Sequence, residues 1–150
     1  MAKFVEWTPN LSVGIQEIDE QHKVLIGIIN RLYDETVINQ ANKSVIEGLI
    51  QELVDYTMVH FAVEESLFRI FDYPGIEKHM GVHVSLKQQV LDLNNKVKEG
   101  TLVNTELLMF LKRWLTNHIL QEDQLYAPFL LEQGVKSTWS KKGWLGKIWK

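Results

Sequence analysis

All five histidines of the 150-residue chain fall at positions where a helical pattern demands apolar residues. His22 interrupts the stripe Ile15, Ile18, Leu25, Ile29, Leu32, and His60 and Glu64 interrupt a second stripe. His79 and His83 do the same in a third, and His118 in a fourth. Imidazole can move protons near neutral pH or bind transition metals through a ring nitrogen. Residues four apart project from one side of a helix, so His60 points with Glu64, and His79 with His83. His118 aligns in the same way with Glu122. Asp123, one residue further on, is rotated ~140° from His118 on a regular helix, so periodicity alone selects Glu122 as the accompanying carboxylate.

A buried ionisable group is costly unless it is paired or binds a metal. One such histidine reads most simply as a core residue bonded to a backbone carbonyl. Five on four helices, with carboxylates among them, would forfeit much of a stability that totals only ~5–15 kcal/mol. A metal centre resolves the conflict. The chain has no cysteine, so the ligands must be nitrogen and oxygen. Seven candidates exceed the four that one structural zinc takes, and calcium and magnesium prefer oxygen to imidazole. A pair of transition metals fits, with iron a natural choice. Protease-type His-Glu-x-x-His, phosphate-binding glycine loops and a cysteine nucleophile are all absent. The Glu-x-x-His pairs of ferritin-like oxidases are also missing from the core positions.

Helical periodicity dominates the chain and no strand pattern competes. Ser44 with Glu47 predicts a capping box at the start of the second helix, whose stripe runs Ile46, Leu49, Ile50, Leu53, Thr57, His60, Phe61, Glu64, Leu67, Phe68, Phe71. Tyr73-Pro74-Gly75 ends it. The third stripe, Ile76, His79, His83, Leu86, Val90, Leu93, Val97, stops at Gly100. The fourth runs from a cap near Asn104 through Leu107, Leu111, Leu115, His118 and Ile119, and Pro128 is expected to bend or end it. Short links around residues 38–42, 72–75 and 99–104 make consecutive helices antiparallel neighbours. The expected fold is all-α, an up-down-up-down four-helix bundle with a short C-terminal tail.

The order His22, His60-x3-Glu64, His79-x3-His83, His118-x4-Asp123 resembles the hemerythrin family, specifically its single-domain bacterial members. Trp7-Thr8 and the run from Gly14 to Lys23 are similar to that family's N-terminal signature. The resemblance covers about Trp7 to Gly134. It implies two iron ions (Fe2+/Fe3+), one held by His79, His83 and His118 and the other by His22 and His60. Glu64 and Asp123 would bridge them, with a solvent-derived oxo or hydroxo group. It thus selects Asp123 over Glu122, which a locally widened helix would allow. It further implies reversible dioxygen binding, for carriage, storage or delivery, with the oxygen held end-on as hydroperoxide at the two-histidine iron. The alternatives are an oxygen or iron sensor acting through a partner, and a di-iron oxidase or detoxifying enzyme.

Phe61, Leu115, Ile119 and nearby Trp114 would line the oxygen pocket. A dry apolar wall without a general acid favours a carrier over a catalyst. The bundle domain is assigned to residues 1–134 and a tail to residues 135–150. Residues 1–135 hold 19 acidic and 11 basic side chains, a net of −8, while residues 136–150 carry five lysines and no acid. An acidic body argues against nucleic acid as a partner. In the tail Trp139, Trp144 and Trp149 accompany the lysines, a composition that suits a membrane surface or a protein groove. The same tryptophans could instead fold back and seal the bundle. No signal peptide or membrane span is evident, which predicts a cytoplasmic protein.

Overall fold

The computed structural model describes residues 3–135. Helix α1 spans Gln16–Tyr33, α2 Lys43–Ile70, α3 Ile76–Lys98 and α4 Thr105–Asn117. A π-helical turn, His118–Asp123, joins α4 without a break to α5, Gln124–Glu132. A second π-helical turn, Asp34–Ile38, extends α1. Among the described residues there is no strand, and consecutive helices run antiparallel as an all-α bundle. No described helix is long and apolar enough to cross a membrane. The basic, tryptophan-bearing segment 136–150 lies outside the described residues, but Val135 is buried against α5 and its neighbours.

The helix ends follow from local chemistry. Asn104 caps α4 as expected, its side chain accepting from the Leu107 amide at 2.9 Å. The cap of α2 is Asn42, which accepts from the Val45 amide at 3.1 Å, and not the predicted Ser44. Ser44 already lies inside the first turn, one residue after the helix starts. Gly100 ends α3 with φ +113°, which lets its own amide reach Val97 O and the Thr101 amide reach Lys96 O. Those two bonds satisfy carbonyls that the helix would leave open. Pro128 neither ends α5 nor faces the core. The helix continues to Glu132, with Tyr126, Ala127 and Leu130 buried and Pro128 exposed, so packing outweighs one missing amide donor.

The N-terminal segment lies along the bundle as a strap. Asn30 holds Val5 by two bonds, to its amide at 2.7 Å and its carbonyl at 2.9 Å. Asp19 accepts from Ser12 Oγ and the Val13 amide, and Gln124 donates to the Asn10 and Ser12 carbonyls. The interior is divided in two. An upper apolar cluster joins Leu25–Leu32 of α1 to Ile46–Val54, Val90–Val97 and Leu108–Ile119. A lower cluster joins Val13, Ile15 and Ile18 to Leu67, Phe68, Tyr126, Ala127, Leu130 and Val135. His22, His60, Glu64, His79, His83, His118 and Asp123 occupy neither cluster. All are buried, and along each helix they fall between residues of the two clusters.

Candidate metal centre

Each helix delivers its polar residues at the same depth. The Asp123 carboxylate is the hub: Oδ2 lies 2.8 Å from His22 Nε2, 3.0 Å from His118 Nε2 and 3.8 Å from His60 Nε2. Its Oδ1 lies 3.1 Å from His79 Nε2. Glu64 Oε1 faces His83 Nε2 at 3.1 Å, His60 Nε2 at 3.4 Å and His118 Nε2 at 3.8 Å. All five imidazoles thus turn Nε2 inward onto two carboxylates. The seven predicted ligand candidates converge, and the π-turn is the reason Asp123 is among them. The widened turn brings the fifth residue after His118 inward, while Glu122 stays partly exposed.

Two groups of converging donor atoms emerge, one from His22, His60, Glu64 and Asp123, the other from Glu64, His79, His83 and Asp123. The carboxylates belong to both, as a pair of ions sharing two bridging ligands requires. His118 Nε2 stands close to both carboxylates but is aligned to donate to neither. Buried His60 Nε2, Glu64 Oε1, His83 Nε2 and His118 Nε2 have no hydrogen-bond partner among the described residues. Orphaned polar atoms of this kind are rare in a protein interior. Converging on one point, they fit cations, and a nitrogen and carboxylate donor set suits transition metals.

Electrostatics prepare the metal-free cluster unevenly. Burial raises the Asp123 carboxyl, but His118, with His22 and His60 beside it, outweighs burial and holds it well below the carboxylate range. Burial and Asp123 both push Glu64 up, yet His60, His118 and His83 bring it down to about 2. Both carboxylates are therefore anionic and ready to bind. Burial lowers His22 against the pull of its hydrogen bond to Asp123, favouring the neutral imidazole that a metal requires. Burial also works against charge on His118, but Asp123 and Glu64 prevail and raise it to about 10. A metal arriving at His118 must displace a proton.

Residues around the cluster fix its orientation, and the sequence reading singled out none of three of them. His60 Nδ1 bonds Gln21 Oε1 at 2.7 Å, His83 Nδ1 bonds Glu65 Oε2 at 2.7 Å, and Tyr126 donates its hydroxyl to Glu64 Oε2 at 2.6 Å. Of the predicted pocket residues, Phe61 lies within the histidine layer, stacked on His83 at 3.9 Å between ring centroids and 5.8 Å from His60. Leu115 and Ile119 are fully buried in the upper cluster, on the turns flanking His118. Trp114 belongs to the same cluster, donates its indole N–H to Leu86 O and also lines an outer cleft of about 330 Å³ between α3 and α4. His118 forms part of the wall of that cleft, beside Val82 and Phe110.

This architecture defines a class with known members. The family model described as "Hemerythrin HHE cation binding domain" matches residues 13–130. The bacteriohemerythrin of Stenotrophomonas maltophilia is 36% identical over 147 residues, covering 96% of this chain and 94% of its own. That of Pseudomonas aeruginosa is 35% identical with the same coverage, and that of Methylococcus capsulatus 34% identical over 126 residues. A wild-type hemerythrin crystal structure superposes with a TM-score of 0.78 at 31% identity, covering 85% of this chain and 98% of that one. The chain belongs to the hemerythrin family, among the bacteriohemerythrins.

Proposed function

We propose that this protein binds dioxygen reversibly at a pair of iron ions. The observation that carries the reading is the sharing of Glu64 and Asp123 by two groups of ligand atoms inside a dry interior. Family membership supports iron as the metal and oxygen as the ligand. In this reading His79, His83 and His118 hold one ion, His22 and His60 the other, and the carboxylates span both. Iron bound there would supply the electrons that hold dioxygen, and the group with only His22 and His60 would leave the fewer protein ligands on its ion.

The chain's own residues supply the conditions for release. Leu115, Ile119 and Phe61 are essentially fully buried. Beside His83 and His118 they present apolar surface and offer no acid to protonate a reactive ligand. The Tyr126 hydroxyl borders the cluster. Its proton is committed to Glu64, and burial raises the phenol well above its ordinary value, so it is a poor acid. Carriage rather than catalysis follows from that dry wall. Iron analysis combined with stopped-flow absorbance tests the reading. Two irons per chain, with a visible band that forms on oxygen addition and vanishes when oxygen is removed, are expected. One iron, zinc, or irreversible oxidation on first exposure would refute it.

A further inference from the structure

Two inward-facing histidines are supported from behind by unlike groups. His60 Nδ1 meets the neutral amide oxygen of Gln21, and His83 Nδ1 meets the Glu65 carboxylate, each at 2.7 Å. Both partners accept, so both imidazoles donate from Nδ1 and leave Nε2 with its lone pair toward Glu64. The two positions therefore differ by one negative charge placed one imidazole away from the ion. Glu65 is 9% exposed. A cation also stands near it: Lys87 Nζ lies 3.8 Å from the same oxygen, on a partly exposed side chain. Solvent weakens that compensation, while the His83–Glu65 bond is shielded from it.

We propose that Glu65 is a positioning residue that sets the redox balance of the site, by making the ion at His83 the easier of the two to oxidise. The inference rests on the two-iron reading above and goes beyond it. A carboxylate that accepts the Nδ1 proton pushes electron density into the ring and makes Nε2 a stronger donor. Added negative charge favours a ferric over a ferrous ion, because Coulomb attraction grows with the charge of the ion. Gln21 orients His60 just as firmly but brings no charge. The ion proposed to meet dioxygen is thus the less easily oxidised partner, and its neighbour is biased to give up an electron. Phe61 stacks flat on His83, holding the ring in the plane that the Glu65 bond requires.

Two substitutions that change charge but hardly change shape test this. Glu65→Gln keeps the acceptor oxygen and removes the charge; Gln21→Glu does the reverse at His60. Iron-loaded proteins are compared by spectroelectrochemical titration and by iron transfer to a chelator. Glu65→Gln should raise the midpoint potential and weaken one of the two irons by roughly 10–100-fold. Each tenfold loss of ferric over ferrous preference reads as about 59 mV. Gln21→Glu should lower the potential. A merely structural Glu65 would leave the potential unmoved. Two irons retained in Glu65→Gln with an unchanged potential would overturn the inference alone. Fewer than two irons in the unmodified protein would instead be the failure of the two-iron reading, and this inference would fall with it.

Discussion

Tyr126→Phe deletes one oxygen atom from a fully buried site and little else. The hydroxyl donates to Glu64 Oε2 at 2.6 Å, while the ring sits 5.0 Å from Phe68 and 5.5 Å from His79 between centroids. Phenylalanine retains those aromatic contacts, so the expected loss is that of a hydrogen bond to a buried carboxylate, ~1.5–3 kcal/mol. For a chain of this size 1 kcal/mol moves the midpoint by about 2–4 °C, so ~2 kcal/mol predicts a fall of roughly 4–8 °C in the metal-free protein. Metal should shrink the difference, because an ion bound by Glu64 stabilises the carboxylate that Tyr126 otherwise serves. Thermal melts of both proteins, chelator-treated and reloaded, give the two differences directly. A metal-free Phe variant that melts at or above the parent temperature would refute the reasoning. So would a reloaded variant that loses more than the metal-free one.

Asp123→Asn should remove binding of both metals, since Asp123 serves both ligand groups, whereas Glu122→Gln should leave the metal content unchanged; metal analysis of the two variants decides which acid is the ligand. In the metal-free protein His118 is raised from 6.5 to about 10, so its contribution to stability is complete below pH ~6.5 and is lost as pH climbs toward 10. Denaturant titrations of chelator-treated protein should show that decline, and metal-loaded protein, with His118 bound as the neutral imidazole, should lack it. Glu64 and Asp123 act at the other end: both are depressed, so their contribution is intact above pH ~4.5 and fades as pH falls toward about 2. Ile119→Glu places an acid beside His118 and should speed loss of the oxygen adduct by tenfold or more, ~10²-fold being ordinary for a positioned proton donor. Autoxidation followed by absorbance checks this, and an unchanged rate would reduce Ile119 to core packing.

The helices and their inward faces were legible because burial of one stripe per helix imposes a period that the residues must follow. The histidines were legible for the opposite reason, since they break that period in chemistry but not in position. Asp123 was beyond such reasoning. A period of 3.6 selects Glu122, and only the family pattern selected Asp123, which the π-turn then delivers inward. Glu65 carried a readable signal: it follows Phe61 by four residues and precedes Phe68 by three, which puts a second acid on the buried side of α2. Tyr126 carried none, because an aromatic ring in a stripe reads as core and its hydroxyl finds a partner 62 residues away. Ser44 misled because a serine followed three residues later by glutamate also occurs within a first turn, and Asn42 was the better cap.

The split interior has a consequence for how the chain comes together. The lower cluster draws on residues 13–18 at one end of the chain and 126–135 at the other, with Leu67 and Phe68 between them. Closing it brings together segments more than 100 residues apart, as the His22–Asp123 pair also does. Much of the upper cluster, by contrast, can zip along the adjacent helices α1 and α2. Long closures cost chain entropy before any contact compensates. The upper half should therefore form first and the lower half last, with the histidine layer as the plane between them. Without metal that plane is a layer of buried imidazoles around two carboxylates that repel each other, and amide exchange in the lower half should proceed through local opening. Two ions held by all four helices would rivet the seam, and two folding units would then open only as one.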